Sequence, residues 1–170
     1  MNNVPMTIAL AVWGLCAQAQ PGEAEKRITA ANEAVDSFIG TLLPQRVQAK
    51  GVERTLKNIL AAELHEGDPP SVYVTAHPQH GPFLVAVYTL DRGFMGSGGT
   101  AVTLRVYHMR GGRFRLANIA GKNMDGYGRV TVKELHSPKQ GEVWLLLWGY
   151  MTGANGPNVR MRVVACDGKQ

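Results

Sequence analysis

The sequence predicts an α+β domain, an N-terminal amphipathic helix pair followed by a mainly antiparallel β-meander of about seven strands. Three observations carry this reading. Apolar residues recur at three- and four-residue steps as far as Leu64. After Pro69-Pro70 the chain changes to short runs rich in Val, Tyr, Leu and Trp, separated by Gly, Asn, Asp and Pro. The second region also repeats itself at a spacing of 57–60 residues.

At the N-terminus, Thr7 to Cys16 is a short apolar stretch followed by Ala17-Gln18-Ala19 and the polar Gln20-Pro21-Gly22-Glu23. An apolar core ending in A-x-A is the pattern of a secretory signal peptide. The expectation is a signal peptide over 1–19, cleavage after Ala19, and a periplasmic or secreted protein with no transmembrane anchor after cleavage. Met1 to Met6 contains no Lys or Arg, so either the start is displaced or the amino terminus supplies the only charge of the leading segment. Leu15 before Cys16 is not the small residue that lipid attachment requires. With Cys16 removed, Cys166 is the lone thiol, expected to be buried and inert.

Residues 20–70 read as a helical hairpin. Ile28, Ala31, Val35, Phe38, Ile39 and Leu42 fall on one face of a helix that Pro44 stops near Leu43. Val52, Leu56, Ile59, Leu60 and Leu64 form a second stripe, ended by Glu66-Gly67-Asp68-Pro69-Pro70. Residues 71–170 read as strands: Ser71–Ala76, Phe83–Leu90, Ala101–Met109, Arg113–Ile119, Arg129–Leu135, Val143–Tyr150 and Asn158–Cys166. Gly111-Gly112 and Asp167-Gly168 are two-residue hairpin signals, because glycine reaches positive φ at little cost.

Within that region a shift of 60 residues lays Val72 on Val132, Pro78 on Pro138, Gly81 on Gly141 and Phe83–Leu90 on Val143–Tyr150, with Tyr88 opposite Trp148. A shift of 57 then matches Val102, Arg105, Val106 and Gly111 with Val159, Arg162, Val163 and Gly168. The units are about 71–128 and 129–170, the second lacking a counterpart of Arg113–Ile119. Phe83–Leu90 and Val143–Tyr150 are apolar on both faces, so both sides of each sheet are expected to be covered, by stacked blades or by a helix pair on one side and a second sheet on the other. The Thr152-Gly153-Ala154-Asn155-Gly156-Pro157-Asn158 loop, followed by Val159–Val163 and Asp167-Gly168-Lys169, resembles repeat units of exported bacterial β-propeller-type proteins over about 71–170. The resemblance implies propeller-blade-like units and no catalytic residues. The alternative fold is a curved-sheet, cone-like α+β domain wrapped by the helix pair.

The 170 residues carry a formal charge of +5, with 45% hydrophobic and 18% charged side chains, which excludes a disordered chain. Two cysteines exclude a disulfide scaffold and a four-cysteine zinc site. The charge is uneven: Gln20–Pro70 holds 6 basic and 8 acidic side chains, net −2, whereas Ser71–Gln170 holds 12 and 5, net +7. His77-Pro78-Gln79-His80 is the only close histidine pair, with His136 at a nearby place in the second unit; on a loop it lacks the i,i+4 spacing of helical zinc motifs. Met95-Gly96-Ser97-Gly98-Gly99 reads as a hairpin loop, since no helix or Lys follows to make a phosphate cradle.

In the hairpin register His108 faces Arg115 and Arg110 faces Arg113, which gives a cationic tip. Arg105 and Arg162 occupy equivalent mid-strand positions of the repeat, either as a shared anion contact or as arginines reaching to water from an outer strand. Trp144 and Trp148 share a strand face with Leu146 and read as core, with a sugar-stacking platform as the alternative. Asp91, Asp125, Glu134, Glu142 and Asp167 form no strong local motif, although distant carboxylates can converge.

The reading is therefore a non-enzymatic exported binding or structural repeat module with no catalytic residue, metal or cofactor. Its anion-binding candidates are Arg105, Arg110, Arg113, Arg115 and Arg162. The expected partner is an anionic envelope component or another protein, not nucleic acid, with self-association through the Asn158–Cys166 edge. The competing reading is a small-ligand pocket protein or metal-dependent enzyme using His77, His80 and a remote carboxylate.

Overall fold

A computed structural model describes residues 21–64, 70–77, 82–91, 100–120, 124, 130–137, 139, 141–153 and 156–167. The proposed signal segment, His80 and the Met95–Gly99 loop lie outside these residues. Helices α1 (Pro21–Thr41) and α2 (Ala49–Leu64) precede strands β1 (Val72–His77), β2 (Phe83–Asp91), β3 (Thr100–Arg110), β4 (Arg113–Ala120), β5 (Thr131–Leu135), β6 (Glu142–Gly153) and β7 (Gly156–Asp167). The strands form two antiparallel sheets, β1-β2-β3-β4 and β5-β6-β7. The expected α+β class, with helices first and an antiparallel meander after, is what the chain adopts.

The helix pair forms because each helix carries a stripe it must bury. Ile28, Ala31, Val35 and Ile39 on α1 and Val52, Leu56 and Leu60 on α2 pack on Val72, Val74, Leu84, Ala86, Tyr88 and Leu90 of the four-stranded sheet. Near the end of α1 the Thr41 hydroxyl donates to the Phe38 carbonyl at 2.6 Å. Pro44, which has no N–H to donate, opens a short 3-10 turn over Pro44–Arg46. The opposite face of this sheet (Phe83, Val85, Val87, Val102, Leu104 and Val106) meets Val143, Leu145, Leu147 and Cys166 of the three-stranded sheet. The result is three layers, helices on sheet on sheet. Of the two ways to cover the first sheet, the chain uses the helix pair and the second sheet.

Because the four-stranded sheet is sandwiched, Phe83 through Leu90 are all buried. The same inference from Val143–Tyr150 is overturned. Val143, Leu145, Leu147 and Gly149 are buried, while on the other face Trp144, Leu146 and Trp148 are half-buried and Tyr150 is exposed. The Trp144–Trp148 pair is thus outside both buried clusters, not core.

Register corrects a second expectation. Val72 pairs with Tyr88 and Phe83 with His108 in the first sheet, whereas Thr131 pairs with Trp148 and Glu142 with Asp167 in the second. Keeping Phe83 on Val143, these ladders place Tyr73, not Val72, on Val132, and Leu104, not Arg105, on Arg162. A one-residue slip turns side chains to the opposite face. The matched identities therefore sit one residue out of step with the ladders. The loop read over Thr152–Asn158 is also shorter than expected, since the β6–β7 ladder continues to Gly153↔Gly156.

Candidate functional site

Arg105 is removed from the ligand-binding set by its burial. It lies mid-way along β3 on the helix-covered face, opposite Ala86, and is only 5% exposed. Its Nε donates to Asp36 Oδ1 of α1 at 2.9 Å and its Nη2 to Asp36 Oδ2. The Tyr107 hydroxyl donates to the same carboxylate at 2.7 Å, and the Tyr88 hydroxyl to Asn32 Oδ1 at 2.6 Å. Burial works to lower the Arg105 pKa, but the bonded Asp36 carboxylate together with Tyr88 and Tyr107 outweighs it and the net shift is upward. Burial, then Asp36, pushes the Tyr107 phenol well above its ordinary range. This constellation docks α1 on the sheet, with Arg105 almost wholly buried against Asp36.

The hairpin tip has the expected ladder. Gly111 and Gly112 take φ of +59° and +76°, the double positive-φ pattern of a two-residue turn that follows the strand twist. Arg110 stands opposite Arg113 and His108 opposite Arg115. Arg110, Arg113 and Arg115 are exposed. No described carboxylate forms an ion pair with any of the three. His108 departs from the expected cluster. It is buried between the sheets, where its Nε2 donates at 3.0 Å to the carbonyl oxygen of Asp167 on β7.

A second polar group closes the opposite margin of the sandwich. Tyr73, Thr75 and His77 alternate along the inward face of β1, and Glu134 of β5 reaches them. The Tyr73 hydroxyl donates to Glu134 Oε2 at 3.1 Å and the Thr75 hydroxyl at 2.8 Å. His77 Nε2 lies 3.6 Å from Glu134 Oε1 and 3.3 Å from Thr75 Oγ1, with its ring stacked on Phe83 at 5.0 Å. Burial, then Glu134, pushes the Tyr73 phenol up to about 12. Beside Tyr73 a cleft of about 240 Å³ opens between the sheets, bounded by Ser71, Val87, Thr89, Val130 and Val132. Among the described residues, no group of three or more His, Cys, Asp or Glu side chains is arranged to hold a metal ion. His136 is exposed, two residues beyond Glu134. Sequence reasoning left the remote carboxylate open. The signal for it was a charged residue on the inward, otherwise apolar side of β5, next to Val132.

The outer face of the three-stranded sheet completes the candidates. Cross-strand pairs Leu146↔Val163, Trp148↔Met161 and Tyr150↔Val159 share that face. Tyr150, Val159, Met161 and Val163 are 62%, 65%, 68% and 53% exposed. Arg162 stands opposite Leu147 and is exposed on the inward side of β7, the reverse of the face occupied by Arg105 in β3. Cys166 is buried and free, and burial, then Asp167 and Glu142, raises its thiol to about 11. Glu142 and Asp167 stand directly opposite one another. Glu142 is engaged by the Trp144 Nε1 donor and lies 3.7 Å from Lys139 Nζ.

The structure therefore brings Arg110, Arg113 and Arg115 together, separates Arg105 and Arg162 to opposite faces, and supplies His77 with Glu134. Comparison with protein-family models, with curated proteins and with solved structures returns no match for this chain.

Proposed function

We propose that this protein is an exported, non-enzymatic binding module, built from propeller-type repeat units, that engages an anionic polymer of the cell envelope through Arg110, Arg113 and Arg115. The observation that carries the reading is the placement of Arg110 directly opposite Arg113, with Arg115 two residues on, all exposed and with no carboxylate ion pair among the described residues. Like charges directly across a ladder destabilise it, so the arrangement costs stability that an anion recovers. The +7 net charge of Ser71–Gln170 favours the approach of such a polymer.

Replacing the three arginines with Ser is expected to advance elution from a dextran sulfate column at low salt. The difference should fade as salt screens the charges. The same variant should be at least as stable as the parent, because a repulsion has gone. Unchanged elution removes the tip from the function. Export is tested separately: after expression in a bacterium, the mature chain should begin at Gln20, and intact Met1 in the cytosolic fraction would count against it.

The pairing of His77 with Glu134, beside the cleft at Tyr73, favours a second reading as a small-ligand or metal-dependent site. Zinc retained through chelator-free purification and lost on His77→Ala would support it; absence of zinc would remove the metal form of that reading.

A further inference from the structure

The four-stranded sheet has one strand more than the sheet laid on it. Glu134 places β5 over β1, and the His108–Asp167 bond places β7 over β3. Beyond β3, β4 has no strand above it among the described residues. Its inward positions Arg113, Arg115 and Asn118 are exposed, while Ala120 at the end of the strand packs against the inter-sheet core. Among the described strands β7 pairs with β6 alone, so its outer edge borders the same step.

We infer that this step is a slot for one extended peptide segment of a partner protein, which adds as a strand to the free edge of β7, lies over β4, and alternates acidic with aliphatic side chains. The alternation follows from the pleat, which sends successive side chains to opposite faces. Inward-pointing side chains of the added strand meet Arg162 of β7 and Arg115 of β4, both exposed cations. Outward-pointing side chains lie beside Val159, Met161 and Val163, which are apolar and more than half exposed. Carboxylates on one row and aliphatic groups on the other satisfy both surfaces, and the β7 edge supplies the backbone hydrogen bonds that give strand addition its affinity.

A second copy of β7 is the natural competitor, and its charges disfavour the registers centred on its arginines. A two-fold antiparallel pairing that keeps the apolar rows on one face must centre on a residue. Centred on Arg160, Met161 or Arg162, it sets arginine against arginine, a destabilising cross-strand pair. These like charges oppose the self-association that the sequence suggests for Asn158–Cys166, while the same row favours an acidic strand. The inference goes beyond the anion reading of the hairpin tip and shares only Arg115 with it.

The test uses the full chain and three labelled peptides of about 5–6 residues, the length of a typical strand. One alternates Glu and Val, one alternates Lys and Val, and one is the Glu–Val peptide N-methylated throughout, which keeps the charges and removes the backbone donors. Fluorescence anisotropy should show binding of the Glu–Val peptide alone, with slowed amide exchange along Asn158–Ala165. Arg162→Glu should weaken that binding roughly tenfold or more and shift preference toward the Lys–Val peptide. Equal binding of the N-methylated peptide, unchanged exchange along β7, or no binding of the Glu–Val peptide would overturn the slot. Dextran sulfate retention of the hairpin-tip variant reports independently on the anion reading, so either proposal can fail without the other.

Discussion

Asp36 accepts hydrogen bonds from Arg105 Nε, Arg105 Nη2 and the Tyr107 hydroxyl, and its two bonding partners on β3 are buried while it is itself 31% exposed. That asymmetry sets the consequence of breaking the pair. Asp36→Ala strands a buried guanidinium, and leaving one partner of a buried ion pair uncompensated costs about 3–5 kcal/mol. Arg105→Met leaves a carboxylate that still reaches water and still accepts from Tyr107, and it puts an apolar chain where the guanidinium was. Urea unfolding is expected to show Asp36→Ala as much the more damaging change. Equal losses would mean that the network does not anchor α1 as described. Nothing in the local sequence around Arg105 announced this role. The partner lies on a helix far upstream, and a mid-strand arginine in a basic half reads as a surface cation until its face is known.

At the scale of elements, the three-stranded sheet offers an internal comparison of its two faces. Leu145 is buried against the first sheet, whereas Met161 is 68% exposed on the other side. Leu145→Ala is expected to cost about 2–5 kcal/mol, because its contacts are lost and a cavity remains. Met161→Lys should fall within about 0.5 kcal/mol of the parent, as surface substitutions do. Thermal and urea unfolding of the two variants would check this, and a large loss for Met161→Lys would show that the outer face is covered in the isolated protein. The hairpin β3–β4 carries a further constraint. Gly112 has φ of +76°, so Gly112→Ala forces a side chain into the left-handed region, at about 1–2 kcal/mol. The expected outcome is a lower urea midpoint, and no change would argue against the turn geometry.

Across the whole molecule, buried hydroxyl and thiol groups make stability sensitive to alkali. Folding raises the Tyr73 phenol from 10.0 to about 12 and the Cys166 thiol from 9.0 to about 11, chiefly by burial, and moves Tyr88 and Tyr107 upward as well. A group whose folded pKa is raised holds its proton in the folded chain after the unfolded chain has released it. Its contribution is complete below the unfolded value and is lost as pH rises through the folded one. Urea midpoints should therefore be insensitive to these groups below about pH 9 and fall progressively from there to about pH 12. Tyr73→Phe should shallow the fall above pH 10, and a flat profile would contradict the burial of these groups. For the same reason Cys166 should react with a thiol reagent only on unfolding.

The sequence by itself determined the element types, their order and the strand boundaries to within about three residues, because hydrophobic period and turn chemistry are local properties. The stripe Ile28–Leu42, the run Phe83–Leu90 and the Gly111-Gly112 turn each encode their own geometry. It also determined the cross-strand pairs at the hairpin tip, since a two-residue turn fixes register. Tertiary structure alone decided the rest. Identities between repeats do not see a one-residue slip, so only the ladders show that Arg105 and Arg162 face opposite ways. An apolar run such as Val143–Tyr150 states what a strand is able to bury, not what is placed on it, so the open outer face emerged only from the stacking of the sheets. His77 meets Glu134, and β7 stands beside a β4 whose inward face no described strand covers, because sheets of unequal width are laid together. That juxtaposition depends on long-range packing, which no short stretch of residues specifies.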